Sequence, residues 1–159
     1  PHQWLLWKSL IDYGRFDLVV RIARTALELW ERETEDSYNC YEHFIIETGR
    51  GAGWHQFGGL STPVPAFFNA LYRIGRVTPG YDVRIDQSSY DDAADSLTIS
   101  VVNEAAGTRW ILLSMARDAP RSVRSWGAGR ELAPHLRTLG DGLYGIGLPG
   151  GFRGDLELT

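Results

Sequence analysis

Residues 67–85 read Phe-Phe-Asn-Ala-Leu-Tyr-Arg-Ile-Gly-Arg-Val-Thr-Pro-Gly-Tyr-Asp-Val-Arg-Ile, and the periodicity of the chain changes within them. On the upstream side Phe67, Phe68, Leu71 and Ile74 recur at helical spacing, with Gly75 placed where a C-cap glycine belongs. Thr78-Pro79-Gly80 marks a break. Downstream, Tyr81–Ile85 alternates as a strand does. A division follows, with a helical part over 1–78 and a β part over 79–159.

The helical pattern extends back to the start of the chain. Trp4, Trp7, Leu10 and Ile11 form one amphipathic stripe, and Tyr13-Gly14 reads as its stop. A second, longer helix carries Val19, Ala23, Ala26, Leu27 and Trp30 on one face and Arg21, Arg24, Glu28, Glu31 and Arg32 over much of the other. A third begins at Ser61 or Thr62, a hydroxyl cap followed by Pro63 at the first helical position. In the β part, Tyr81–Ile85, Leu97–Val102, Trp110–Met115, Ser122–Trp126, Leu143–Leu148 and Asp155–Leu158 read as short strands. Turn residues such as Asp91-Asp92, Ala106-Gly107, Gly127–Gly129 and Asp141-Gly142 separate them, which suggests an antiparallel sheet or small sandwich. Three helices with one apolar face each cannot close a layer alone. They need more helices, the sheet, or another chain.

Composition narrows the function classes. The 159 residues are 43% hydrophobic and 23% charged, which excludes a disordered or fibrous chain. Sixteen basic against twenty acidic side chains leave a net charge of −4, arguing against a nucleic-acid partner. Apolar runs such as Trp110–Leu113 are far too short to span a bilayer, so no membrane association is expected. The lone Cys40 excludes an intrachain disulfide and is read as a small packed residue. No secretion signal is visible, and a cytoplasmic setting is expected. The start at Pro1, already inside a helix bearing Trp4 and Trp7, reads as the tail of something larger. Six tryptophans and eighteen glycines, the latter mostly after Arg50, suit sugar binding, since pyranose C–H faces stack on aromatic rings.

The segment most able to carry chemistry is 38–61, a long connection between two helices. It holds Tyr41, Glu42, His43, Phe44, Glu47, Arg50, Trp54, His55, Gln56 and Phe57 among five glycines. Carboxylates and imidazoles can do acid–base work, and glycines let backbone approach a ligand. Alternatives weigh against each residue. Glu42 reads either as a base or as an exposed carboxylate pairing with Arg50. Glu47 reads as turn scaffolding. His43 and His55 are twelve residues apart, a spacing that matches no common metal site, so no metal and no cofactor are expected. Asp91, Asp92 and Asp95 read as a solvated turn before a calcium site. Gly145-x-Gly147 and Gly150-Gly151 lack a strand–helix setting and read as turn glycines rather than a phosphate cradle.

The stretch Cys40-Tyr41-Glu42-His43-Phe44-Ile45-Ile46-Glu47-Thr48-Gly49-Arg50-Gly51 resembles the Glu-Asn-Tyr-Asn-Pro-x-Thr-Gly segment of glycoside hydrolase family 63 and related trehalase and mannosylglycerate hydrolase enzymes. Phe57-Gly58-Gly59 takes the place of the Phe-Ser-Trp-like segment that opens their last barrel helix. His43 stands where that family has Asn, and Gly59 where it has Trp. The resemblance implies an α+β chain: the last helices of an (α/α)6 toroid followed by a small antiparallel β-domain, sheet or sandwich. It implies inverting hydrolysis of an α-glycosidic bond, with Glu42 as general base. Trp4, Tyr41, His43, Trp54, His55, Gln56 and Phe57 would line the subsite for an oligosaccharide or glycoside. Such enzymes place acid and base roughly 6.5–9.5 Å apart, and the acid would come from the N-terminal remainder of the barrel, as a missing segment or separate chain. The 159-residue chain alone is then expected to be inactive. Two other readings stand beside it: a sugar-binding module without catalysis, and a structural subunit docking through the apolar side of Trp4, Trp7, Val19, Ala23 and Trp30.

Overall fold

The computed structural model describes residues 2–56, 58, 62–127 and 134–159. The fold is mostly β, 39% strand against 30% helix. Helices α1 (His2–Asp12) and α2 (Phe16–Ser37) precede a hairpin of β1 (Tyr41–Phe44) and β2 (Gly51–His55). Helix α3 (Pro63–Tyr72) leads into β3 (Arg76–Pro79), β4 (Val83–Asp91), β5 (Ser96–Asn103) and β6 (Arg109–Ser114). The chain then forms β7 (Val123–Trp126), β8 (His135–Gly140), β9 (Leu143–Leu148) and β10 (Arg153–Leu158).

Eight of these strands form a sandwich of two four-stranded antiparallel sheets, in the orders β4-β5-β10-β7 and β3-β6-β9-β8. The outer sheet shows the expected alternation: Leu97, Ile99, Val101, Leu156 and Leu158 point inward, while Thr98 and Arg153 face solvent. The inner sheet is covered on both faces, so its central strands read as unbroken apolar runs. Along β6, Ile111 and Leu113 enter the sandwich core, while Trp110 and Leu112 turn to the helices. Along β9, Tyr144, Ile146 and Leu148 enter the sandwich core, and Leu143 joins the helix side.

The helices form a third layer on this inner sheet. Trp7, Ile11, Phe16, Val19, Ala23, Phe67 and Leu71 pack with Trp110, Leu112 and Leu143 in one core. The Trp7 indole donates to the Val19 carbonyl at 2.8 Å and meets Phe67 edge-on at 5.0 Å. Gly145 and Gly147 prove to be packing glycines. Each lies on the helix-facing side of β9, where a Cβ would run into the rings of Phe16 and Trp110 respectively. Without side chains there, the sheet accepts two aromatic rings at close range.

These facts correct the expected architecture. Among the described residues three helices are present, and no helical toroid is formed. The helical stripes that needed a cover find it on the inner sheet, and the β part is the larger share of the fold, not a small appendage. Of the face read for subunit docking, Trp7, Val19 and Ala23 are buried in this core, while Trp4 and Trp30 are half-buried. In α3 the buried residues are Phe67, Ala70 and Leu71, while Phe68 and Ile74 of the predicted stripe are exposed. Strands β3 and β8 arise where no strand was read. Both are edge strands of the inner sheet and take their structure from pairing with β6 and β9.

Candidate functional site

Segment 38–61 contains a hairpin rather than open loop, and α2 holds it down. Tyr38 ends α2 in the left-handed region (φ 53°), turning the chain back on itself. The hairpin then lies along the last two turns of the helix it has just left. Glu33, 3% exposed, accepts the Gly51 N–H at 2.9 Å and the Arg50 Nε at 3.0 Å, and Arg50 also reaches Asp36 at 2.6 Å. Arg32 donates to the Gly49 carbonyl at 3.0 Å. The Gly51 N–H, with help from Ser37 and the Arg50 charge, outweighs desolvation and holds the Glu33 carboxyl below its ordinary range. Glu33 was missed at the level of sequence, yet a signal existed. Its number continues the apolar series 19, 23, 26 and 30 at helical spacing, and a carboxylate on an apolar stripe calls for a partner.

Arg50 is thereby committed to Glu33 and Asp36, not to Glu42. Glu42 is exposed on β1, and its Oε2 accepts a long bond, 3.5 Å, from the Trp54 N–H. Among the described residues no cation pairs with it. Gly53 explains why the carboxylate can sit there: with φ +82°, a Cβ at this position would lie 2.7 Å from Glu42 Oε2 and 3.0 Å from His43 Cε1. A side chain at 53 would displace the two groups most able to do acid–base work.

Tyr41, Glu42 and His43 line a cavity of about 380 Å³ beneath β1. Leu29 and Trp30 of α2 and Val64 and Phe67 of α3 supply apolar and aromatic wall, and His2 and Gln3 of α1 complete it. Trp30, Leu29, His2, Gln3 and Phe67 were not read as site residues. They gather here because α1, α2 and α3 converge on one end of the inner sheet, which local periodicity does not reveal. Glu42 is the one carboxylate among the described lining residues.

The remaining expected residues fall elsewhere. Trp54, 72% exposed, and His55 sit on β2, and Gln56 follows in the left-handed region (φ 58°); none of the three lines that cavity. His55 pairs in register with Tyr41 across the hairpin. Phe57 and Gly59 lie outside the described residues. Trp4 lies apart from the hairpin, edge-on to Tyr81 at 6.3 Å, with the Lys8 ammonium 5.9 Å from each ring. Glu47 lies in the turn between β1 and β2, which closes through the Ile45 N–H to the Arg50 carbonyl at 2.9 Å.

Elsewhere, ionisable groups serve the fold. Asp91 accepts the Ala93 and Ala94 N–H groups in the β4–β5 turn. Asp95 is buried against Arg121 and accepts the Tyr90 hydroxyl at 2.6 Å, and burial with that bond pushes the Tyr90 phenol up to about 12. Among the described residues no cluster of three or more His, Cys, Asp or Glu is positioned to hold a metal ion. No family model matches the chain, and it matches neither a curated protein nor a solved structure.

Proposed function

We propose that the β1–β2 hairpin is the saccharide-contacting element of an inverting glycoside hydrolase, with Glu42 as general base. The observation that carries this reading is an exposed carboxylate, with no paired cation among the described residues, set beside an imidazole on the rim of an aromatic-walled cavity. In the reaction Glu42 takes a proton from the water that attacks the anomeric carbon. A carboxylic acid on a further polypeptide segment protonates the departing glycosidic oxygen. Tyr41 and His43 orient the sugar hydroxyls, and Trp54 offers a ring face at the exposed edge of the hairpin.

A second reading has an observation of its own: with a single carboxylate among the described lining residues, the cavity by itself suits binding without turnover. One set of measurements separates the two. α-Linked disaccharides are titrated into the chain and into its Glu42→Gln and Trp54→Ala variants by calorimetry, and turnover is assayed in the complete protein. The hydrolase reading expects Glu42→Gln to keep saccharide affinity within about threefold while turnover drops at least about 10³-fold. Binding without any turnover assigns a module. Absence of saccharide binding in all three proteins refutes both.

A further inference from the structure

A second concavity lies beside the Glu42 cavity and shares Trp30 and Val64 with it. It is a trough of about 980 Å³ between α2 and α3. Its walls include the apolar Leu27 and Trp30 on α2, and Val64, Phe68 and Tyr72 on α3. Phe68 and Tyr72 are 55% and 52% exposed, a large apolar presentation for neighbouring positions on one short helix. We propose that this trough is the docking site for an amphipathic α-helix of a partner polypeptide, its apolar stripe flanked by basic residues.

Two observations select a helix of that kind. The α2 wall is built from positions 24, 27, 28, 30 and 31 and the α3 wall from 64, 65, 68, 69 and 72. Each is a one-sided series at helical spacing, running roughly 10 Å along its axis at 1.5 Å per residue. Two such ridged walls accept side chains projected at i, i+3, i+4 and i+7, the pattern of a third helix lying in their groove. A strand has no purchase here, because the interior backbone groups of α2 and α3 are already bonded within their helices.

Charge selects the flank. Glu28 and Glu31 stand exposed on the α2 side of the trough, whereas Arg24, the cation on that wall, is bound to Asp141 at 2.6 Å. Among the described lining residues the free charge along the rim is therefore acidic, and a Lys- or Arg-flanked helix complements it. This docking stands independently of the sugar reading. It also brings the partner beside Trp30, next to the Glu42 cavity.

The test uses the full chain and a synthetic 18-residue helical peptide with Leu at i, i+3, i+4 and i+7 and Lys along one flank. The control peptide carries Glu in place of Lys. Fluorescence anisotropy of the labelled peptides gives affinity, amide chemical shifts locate the contact, and sedimentation reports self-association. The expected result is saturable binding of the Lys-flanked peptide, with shifts confined to 24–31 and 62–72. Phe68→Glu, at an exposed position, weakens it at least about tenfold. The double reversal Glu28→Lys/Glu31→Lys weakens it by about fivefold and turns the preference toward the Glu-flanked peptide. Equal binding of both peptides, shifts elsewhere, or no saturation overturns the proposal. Self-association of the chain that Phe68→Glu abolishes also overturns it, in favour of a second copy.

Discussion

Replacing Gly145 with alanine places a methyl group where the ring of Phe16 already lies. The ring has little room to retreat. Phe16 is 4% exposed and packs edge-on against Trp110 at 5.8 Å. The Trp110 indole is itself confined, lying 2.8 Å from where a Cβ would stand on Gly14 and 2.9 Å from where one would stand on Gly147. The Arg137 guanidinium covers the Trp110 ring at 4.0 Å. Relief must therefore come from lifting α2 off the sheet or driving Phe16 off its rotamer. Overpacking of this kind costs about 1–3 kcal/mol, and the confinement of both rings puts Gly145→Ala near about 2–3 kcal/mol. With a urea slope on the order of 2 kcal/mol per molar, the midpoint falls by about 1 M. The decisive comparison is a double-mutant cycle with Phe16→Leu. That change alone costs about 1 kcal/mol by leaving space beside the strand. The alanine methyl fills that space, so the double variant falls short of the summed costs by roughly 1–2 kcal/mol. Strict additivity within about 0.5 kcal/mol, or a Gly145→Ala cost below that figure, would refute the claim that glycine lets the helices seat on the sheet.

Two further outcomes follow from buried carboxylates. Burial is the main cause that raises Asp12 above its ordinary value of 3.8; its Oδ2 accepts the Tyr81 N–H at 2.7 Å, and its Oδ1 has no partner among the described residues. The native state then holds this proton more tightly than the unfolded chain, so its contribution is full below 3.8 and falls as pH rises through the raised native value. Thermal midpoints of Asp12→Asn and wild type measured from pH 3 to 7 should therefore show wild type losing ground to the variant as pH rises above 3.8, and a pH-independent difference contradicts the reasoning. Glu33 has the opposite sign: held below its ordinary 4.5, it stabilises the hairpin above that value and loses the effect as pH falls through the native one. Glu33→Ala should raise amide exchange across 41–55 by about tenfold at neutral pH while β5, β6 and β9 keep their protection, and unchanged exchange at Gly51 counts against the anchor.

Local pattern told much about the elements and little about their company. The alternation in Leu143–Leu148 marks a strand, and β9 occupies that span. The same alternation does not say that Gly145 and Gly147 face aromatic rings from α2 and β6; as turn glycines they were misread, because the Phe16 and Trp110 rings that require them lie far away in sequence. Likewise, His135–Gly140 lacks an alternating apolar pattern and becomes β8 through backbone pairing with β9, with Leu136 packed on one core and Leu139 on the other. At the candidate site, residue type and glycine spacing single out the 38–61 segment that carries Glu42 and His43, and the general-base reading of Glu42 rests on the family resemblance. Trp4 enters that site only through the family resemblance, and the tertiary structure pairs it with Tyr81.

The sequence by itself determined that this chain carries three amphipathic helices, a run of short strands, and a glycine-rich segment bearing carboxylates and imidazoles. These follow from side-chain periodicity and backbone preference, both local quantities. Only the tertiary structure decided what covers the helical stripes, and with that the overall architecture. An apolar face states that it must be buried, but sheet, helix bundle or partner remove its area from water about equally well. The choice fell to shape: two glycines on β9 and the rings of Phe16 and Trp110 fit one another, and the helices therefore close on the sandwich.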